Sequence, residues 1–229
     1  MAYNKFIRFL SVTGIHHLEL SLPREQNKTH PRTVLTKSEI KALYSAIETY
    51  PDKRHLTTPY RLRDRAILAI FYSCGLRSNE GSNLDVSDIL TDRRLIIVRK
   101  GKGNKERYVP ITPGNLQDIE NYITRGRSWF LVPREKQNHI NNQALLINEK
   151  GSRLTSSGIY IRIKYLQEQS GVDKQIGIHT LRHSIATHLL QSGMEIEPIS
   201  KFLGHSTLAS TQIYTHLSAE VEDQGGYCQ

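Results

Sequence analysis

The chain has 229 residues, enough for one large domain or two small ones with a substantial core. Its 31 lysines and arginines outnumber its 22 acidic residues, and the formal net charge of +9 favours a polyanionic partner such as nucleic acid over a merely soluble basic protein. The two cysteines, Cys74 and Cys228, lie far apart and suggest neither a disulfide framework nor a zinc site. No apolar run approaches the length of a membrane span and no signal-peptide pattern is present, so we expect a cytoplasmic protein without membrane contact.

Residues 1–32 are predicted to form an N-terminal segment and a linker. They contain one short amphipathic stretch, FIRFLSV, followed by LPREQNKTHPR, whose prolines and polar residues are typical of a linker. The main domain is predicted over 33–220, and a short polar tail over 221–229. Its first helix lies in LTKSEIKALYSAI, where Thr36 and Glu39 fit a capping box and apolar residues follow at helical spacing.

The next segments predict a helix, a hairpin and a further strand. The sequence RLRDRAILAIFYSCG places apolar residues on one face and ends at Gly75. Two strands, RLIIVRK and ERYVPI, are predicted around the turn GKGNK, whose glycines and asparagine suit a tight hairpin. The sequence QALLIN is predicted as a third strand or an extended edge.

The second half of the domain is predicted to be helical. One helix, SSGIYIRIKYLQEQSG, ends at Gly171, the next runs from Ile178 to about Leu190, and EIEPISKFLG ends at Gly204. A last helix is predicted in STLASTQIYTHLSAEVE. The predicted fold class is therefore mainly α with a small antiparallel β-sheet (α+β).

The helix HTLRHSIATHLL begins with unusual side chains for a helix that otherwise has the pattern of a core element. Residues three and four apart lie above one another, so His179, Arg182 and His183 share a stripe. A buried arginine is costly unless an anion reaches it, and the N–H groups at a helix N-terminus favour an anion. The stripe therefore indicates half of a phosphate-binding site. The alternative is a first turn that faces solvent, with a neutral His179.

A metal site is a weaker interpretation of the same helix. His179 and His183 have the i, i+4 spacing of zinc ligands, but the glutamate of the H-E-x-x-H pattern is missing. A permanent cation, Arg182, would also lie beside the metal. We therefore expect no metal here.

Two other segments carry cations that suit a phosphate. The sequence GLRSNE places Arg77 just past a helix and three residues before Glu80, although alone this is also the pattern of a solvated ion pair that contributes little. The sequence GKGNKERYVP places Lys102 at a hairpin tip, within a stretch (91–110) of seven basic and two acidic residues that would suit a DNA backbone. The P-loop spacing is absent, which disfavours nucleotide hydrolysis. The hairpin residues expected to contact DNA are Arg99, Lys100, Lys105 and Arg107.

The order and spacing of four segments resemble the tyrosine recombinase (phage integrase) family. GLRSNE is similar to its first-arginine motif, GKGNKERYVPI to its lysine hairpin, and HTLRHSIATHLL to its H-x-x-R box. LGHSTLASTQIYTHLS, in which His205 and Tyr214 lie nine positions apart, is similar to the box that ends in the nucleophile. The similarity spans about residues 33–220 and implies this catalytic set: Arg77, Lys102, His179, Arg182, His205 and Tyr214. It also implies that Glu80 supports the site without touching the phosphate.

The resemblance implies a site-specific recombinase or integrase, encoded by a mobile element, that cleaves and rejoins DNA strands. Tyr214 would attack a phosphate held by Arg77 and Arg182, giving a 3′-phosphotyrosyl link and a 5′-hydroxyl. His179 would accept the tyrosine proton, and Lys102 would donate a proton to the leaving oxygen. His205 would hydrogen-bond the phosphate. No metal, ATP or other cofactor is expected.

Expected partners also follow from the resemblance. They are double-stranded DNA, further copies of the chain that form a homotetramer on DNA from a free monomer or dimer, and an accessory DNA-bending protein. Family members normally carry an N-terminal helical DNA-binding domain, which we expect to be absent or truncated because only residues 1–32 precede the catalytic part. Gly81 stands where the family usually has leucine, which we expect to loosen that helix without removing a catalytic group.

Two other functions stay open at this point. A type IB topoisomerase has a similar active site and relaxes supercoils without strand exchange. A non-catalytic remnant could instead occupy recombination sites as a DNA-binding regulator. The complete catalytic set argues against a remnant, whereas the short N-terminal segment argues for one.

Overall fold

The structure is a computed structural model that describes residues 12–13, 33–50, 57–99, 106–131 and 143–204. The chain divides into two units, Met1–Pro31 and Arg32–Gln229, and the helices and strands named below belong to the second. The predicted turn GKGNK, the last predicted helix and the tail lie outside the described residues.

The described part of the second unit is mainly helical with one small sheet, which confirms the predicted fold class. Its helices are α1 (Lys37–Glu48), α2 (Thr57–Leu68), α3 (Ser78–Ser82), α4 (Pro113–Asn121), α5 (Arg127–Leu131), α6 (Ser156–Ser170), α7 (Ile178–Gln191) and α8 (Ile196–Leu203). Two π-helical turns, Ala69–Ser73 and Tyr122–Gly126, continue α2 and α4, and a 3₁₀ turn covers Val86–Asp88. The strands are β1 (Ile89–Leu90), β2 (Leu95–Val98) and β3 (Arg107–Pro110).

The helix ends follow the local signals that predicted them. At the start of α1, the Thr36 hydroxyl accepts a hydrogen bond from the Glu39 N–H at 3.2 Å. The Glu39 carboxylate in turn accepts from the Thr36 N–H at 2.6 Å, which completes the capping box. At the other end of the unit, α6 and α8 stop at Gly171 and Gly204, whose φ angles of +69° and +64° lie in the left-handed region that favours glycine.

The sheet is a hairpin with a short third strand, and all its pairs are antiparallel in the order β1-β2-β3. Within the hairpin, Val98 faces Arg107 at one end and Leu95 faces Pro110 at the other. The sequence predicted QALLIN as a third strand or an extended edge. The third strand of the sheet is instead β1, and QALLIN takes part only in the isolated bridges Asp85↔Ala144 and Ile147↔Arg153, so the prediction of a strand there was wrong.

The core is largest around α2 and the π-helical turn that follows it, where Ile67, Ile70 and Phe71 are fully buried. A smaller apolar cluster between α7 and α8 joins Ala186, Ile199 and Leu203. This cluster packs the C-terminal end of α8 against the middle of α7, one turn beyond Arg182. None of the described helices combines the length and the apolar character needed to cross a membrane.

Candidate active site

Arg182 lies inside the protein and joins three segments. Its side chain belongs to the second turn of α7, and the residue is only 4% exposed. One terminal nitrogen donates to the carbonyl of Gly75, just after the first π-helical turn, and the other donates to the carbonyl of Leu203 at 2.6 Å. The guanidinium therefore holds the end of α8 against the segment that leads to Arg77.

Arg77 reaches the neighbouring carbonyl at the same end of α8. It is the N-cap residue of α3, and its Nη2 donates to the carbonyl of Gly204 at 2.6 Å. Its Nη1 donates to the Glu80 carboxylate at 2.7 Å, while its backbone N–H donates to the other carboxylate oxygen at 2.9 Å. Because Leu203 and Gly204 are consecutive, the structure brings together the two arginines that the sequence assigned to one phosphate.

Glu80 is the buried anion of this cluster. Its side chain is 4% exposed and accepts hydrogen bonds from both Arg77 and Arg107. Burial by itself raises the pKa of the carboxyl group, but the hydrogen bonds and charges of the two arginines outweigh it and lower the pKa to about 2. Glu80 is therefore ionised at neutral pH, and the pair is not the solvated contact that the sequence alone allowed.

Arg107 has a different position from the one expected for a contact to DNA. Its two terminal nitrogens each donate to one oxygen of Glu80 at 2.8 Å, and its side chain is 15% exposed. Arg99, the other expected DNA contact that the structure describes, has a side chain that is 55% exposed and pairs with Asp88. Of the two expected DNA contacts that the structure describes, only Arg99 faces the solvent.

Two glycines allow the backbone segments to approach this closely. A Cβ atom on Gly204 would lie 2.7 Å from Nε of Arg107 and 2.9 Å from its Cδ and Cζ. A Cβ atom on Gly75, whose φ is +59°, would lie 2.7 Å from a methyl carbon of Leu203. Both positions therefore need glycine for space as well as for backbone conformation.

The two histidines predicted to share a stripe with Arg182 differ from it in exposure. His179 is exposed on the first turn of the helix, and His183 is half-buried. Within the described ranges, no group of three or more His, Cys, Asp or Glu side chains is placed to hold a metal ion. The remaining predicted site residues lie outside the described part of the chain: Lys100, Lys102, Lys105, His205 and Tyr214.

The sequence analysis missed the ion pair of Arg107 with Glu80, although a signal for its inward position was present. Side chains alternate across a strand, so Arg107 and Val109 of β3 lie on the same face. Val109 is fully buried, which indicates that Arg107 also points inward. The identity of its partner, 27 residues earlier in the chain, has no local signal.

These observations define a mainly helical domain with a small sheet and an arginine cluster at the end of α8. Residues 33–220 match the phage integrase family, and the chain belongs to this family.

Several recombinases are similar to the chain. Tyrosine recombinase XerC of Oceanobacillus iheyensis is 36% identical over 221 residues, which cover 94% of this chain and 67% of that protein. Tyrosine recombinase XerC 2 of Ralstonia nicotianae is 35% identical over 202 residues, which cover 88% of this chain and 54% of that protein. The chain thus spans about half the length of several relatives that it matches.

Solved structures agree with this assignment. The crystal structure of XerA recombinase superposes with a TM-score of 0.68 at 26% identity, covering 96% of this chain and 73% of that one. XerH site-specific recombinase, bound to its palindromic difH substrate in a post-cleavage complex, gives a TM-score of 0.68 at 27% identity, covering 84% of this chain and 52% of that one.

Proposed function

We propose that the chain is the catalytic domain of a site-specific DNA recombinase that cleaves and rejoins strands through a 3′-phosphotyrosyl intermediate on Tyr214. The observation that carries the proposal is the pair of arginines, Arg77 and Arg182, held on consecutive carbonyls at the end of α8. The next residue in the chain is His205, and the candidate nucleophile follows nine positions later. Membership of the phage integrase family and the similarity to Xer recombinases support the same assignment.

The arginines supply the electrostatic part of the reaction. A guanidinium donates in a fixed fork that matches two phosphate oxygens, and it keeps its charge at every working pH. Negative charge accumulates on the phosphate oxygens in the transition state, so cations aimed at that position lower the barrier. Arg77 is the accessible member of the pair, with 24% of its side chain exposed.

Proton transfer is assigned to a histidine and a lysine. Free tyrosine has a pKa of about 10, so Tyr214 needs a proton acceptor at neutral pH. His179, exposed on the first turn of α7, is the proposed acceptor. Lys102 donates a proton to the leaving 5′-oxygen, and His205 hydrogen-bonds the phosphate. The reaction needs no ATP, because the covalent link conserves the energy of the broken bond. It needs no metal ion, because the arginines and the lysine supply the charge stabilisation.

The proposed partner is double-stranded DNA, and the proposed location is the cytoplasm. The chain acts as a homotetramer on paired DNA sites, and an accessory DNA-bending protein assists its assembly. Arg99, Lys100 and Lys105 contact the DNA backbone, whereas Arg107 is left out of this set because its terminal nitrogens bind Glu80. Binding that rests on such contacts weakens steeply as the salt concentration rises.

Covalent trapping tests the proposal. Wild type, Tyr214→Phe and the control Tyr227→Phe are incubated with a library of nicked duplexes in EDTA and separated on a denaturing gel. We expect an EDTA-resistant protein–DNA adduct with wild type and Tyr227→Phe, and none with Tyr214→Phe. DNA binding without an adduct would contradict the catalytic proposal and leave a DNA-binding regulator.

A further inference from the structure

We propose that Arg107 is a positioning residue that acts on Arg77 through Glu80: it balances the charge of Glu80, so that the positive charge of Arg77 stays available for the phosphate. This inference rests on the proposed function, because it concerns the same anion site. It assigns Arg107 to the interior of that site and not to the DNA backbone.

Arg107 and Arg77 share both oxygens of the Glu80 carboxylate. Each of its carboxylate oxygens accepts one hydrogen bond from Arg107 and one from Arg77. The Arg107 contacts form a two-pronged fork, the geometry in which an arginine holds a carboxylate most tightly. Arg107 therefore neutralises the same carboxylate group that Arg77 binds.

The negative charge of Glu80 is divided between two cations. Glu80 is buried and ionised, and two guanidiniums share its single negative charge. Without Arg107, the whole of that charge would pair with Arg77, the cation proposed to bind the phosphate. In a buried site the Coulomb interaction is strong and poorly screened, so the lost cation would lower the affinity of Arg77 for any anion.

Arg107 also contacts the backbone at the end of α8. Gly204 lies so close to the Arg107 side chain that a Cβ atom there would be 2.7 Å from Nε. The carbonyl of the same glycine accepts from Nη2 of Arg77. Arg107 thus touches both groups that hold the Arg77 guanidinium, the Glu80 carboxylate and the Gly204 backbone.

The side-chain hydrogen bonds of Arg107 support its assignment to Glu80. Its Nε atom is buried and has no hydrogen-bond partner among the described residues, and both of its other nitrogens go to Glu80. Because one carboxylate takes both terminal nitrogens of Arg107, we assign this arginine to Glu80 and not to the DNA backbone.

A double-mutant cycle tests charge balance against simple packing. The variants are Arg107→Gln, Glu80→Gln and the two combined, with Arg125→Gln as the control because this arginine is exposed on the second π-helical turn. The Nε–Hε resonance of Arg77 is titrated with inorganic phosphate by NMR at low ionic strength. We expect Arg107→Gln to weaken phosphate binding about tenfold and the added Glu80→Gln to restore it to within about threefold of wild type.

A purely structural role for Arg107 gives the opposite pattern. The double variant would then bind phosphate no better than Arg107→Gln, because removing Glu80 repairs no packing. That result, or an Arg107→Gln affinity equal to that of Arg125→Gln, overturns the inference. If Arg107→Gln does not fold, Arg107→Lys is the test, because lysine keeps the charge but not the two-pronged fork. A phosphate affinity near that of wild type supports the charge role, and a loss beyond about tenfold overturns it.

The same variants separate this inference from the proposed function. In single-turnover cleavage of a trapped substrate, we expect Arg107→Gln to slow adduct formation at least about tenfold while the DNA dissociation constant changes less than about threefold. If wild type forms no adduct, the proposed function fails, whereas the phosphate titration still decides the role of Arg107.

Discussion

Replacing Gly204 by alanine tests the packing at the centre of the candidate site. Two separate costs follow from the structure. The φ angle of +64° is left-handed, which costs an alanine about 1–2 kcal/mol. The new methyl group would also lie 2.7–2.9 Å from three atoms of the Arg107 side chain, and overpacking of this kind costs about 1–3 kcal/mol more. The expected loss in the free energy of unfolding is therefore about 2–5 kcal/mol.

Gly171 provides a matched control for the backbone cost. It also follows a helix, its φ angle is +69°, and a Cβ atom there would meet nothing within 4 Å. Gly171→Ala should therefore show only the left-handed penalty of about 1–2 kcal/mol. The difference between the two variants measures the contact with Arg107.

Urea unfolding followed by circular dichroism gives both values, provided that the slope with denaturant stays unchanged. In an Arg107→Ala background the overlapping atoms are gone, so the cost of Gly204→Ala should fall to that of Gly171→Ala. Equal losses for the two glycine variants in the wild-type background would refute the proposed contact. So would an extra cost for Gly204→Ala that survives the removal of the Arg107 side chain.

Three further predictions concern the surroundings of the site. The pKa of Glu80 is lowered from 4.5 to about 2, so its contribution to stability is present above pH 4.5 and is lost as the pH falls towards 2. In urea titrations, the difference in the free energy of unfolding between wild type and Glu80→Gln should therefore shrink over that range. A constant difference would contradict the assignment. Gly81→Ala should lower the free energy of unfolding by about 1–3 kcal/mol in the same assay, because the Phe71 ring occupies the space a Cβ atom would need, and a neutral effect would refute that packing. Burial raises the pKa of the Cys74 thiol to about 12. In a Cys228→Ser variant, a thiol reagent should therefore label Cys74 rapidly only in denaturant, and rapid labelling of the native protein would contradict the burial of Cys74.

The parts of the fold that the sequence predicted are those with local signals. The capping box of Thr36 and Glu39, the alternation of the hairpin strands and the glycines after α6 and α8 all act within a few residues. One local signal was overlooked: Pro113 follows Thr112 at the start of α4, as is common at the first turn of a helix.

Long-range pairing accounts for much of what could not be predicted. Arg63 and Asp64 of α2 have the appearance of a solvated face, yet both are fully buried. Arg63 donates to the carbonyl of Ile147, and Asp64 accepts from Arg162, partners that lie more than eighty residues away. No periodic pattern within α2 encodes such contacts, because they depend on how distant segments pack.

In the candidate site, too, local contacts could be predicted from the sequence and long-range contacts could not. The contact between Arg77 and Glu80 spans three residues and could be predicted, whereas the carbonyls that hold Arg182 lie 107 and 21 residues from it. The departure at Gly81 also has a physical explanation that only packing reveals, since Phe71 fills the space beside it and the glycine is buried.

The measurement that tests the central claim most directly is the identity of the residue that carries DNA after cleavage. The adduct formed in EDTA would be digested with nuclease and protease, and the modified peptide sequenced by tandem mass spectrometry. Our account predicts a nucleotide attached through its 3′-phosphate to Tyr214, with the yield abolished by Arg182→Ala and retained in Arg125→Gln. A modification on another residue, or an adduct that persists without Arg182, would contradict it.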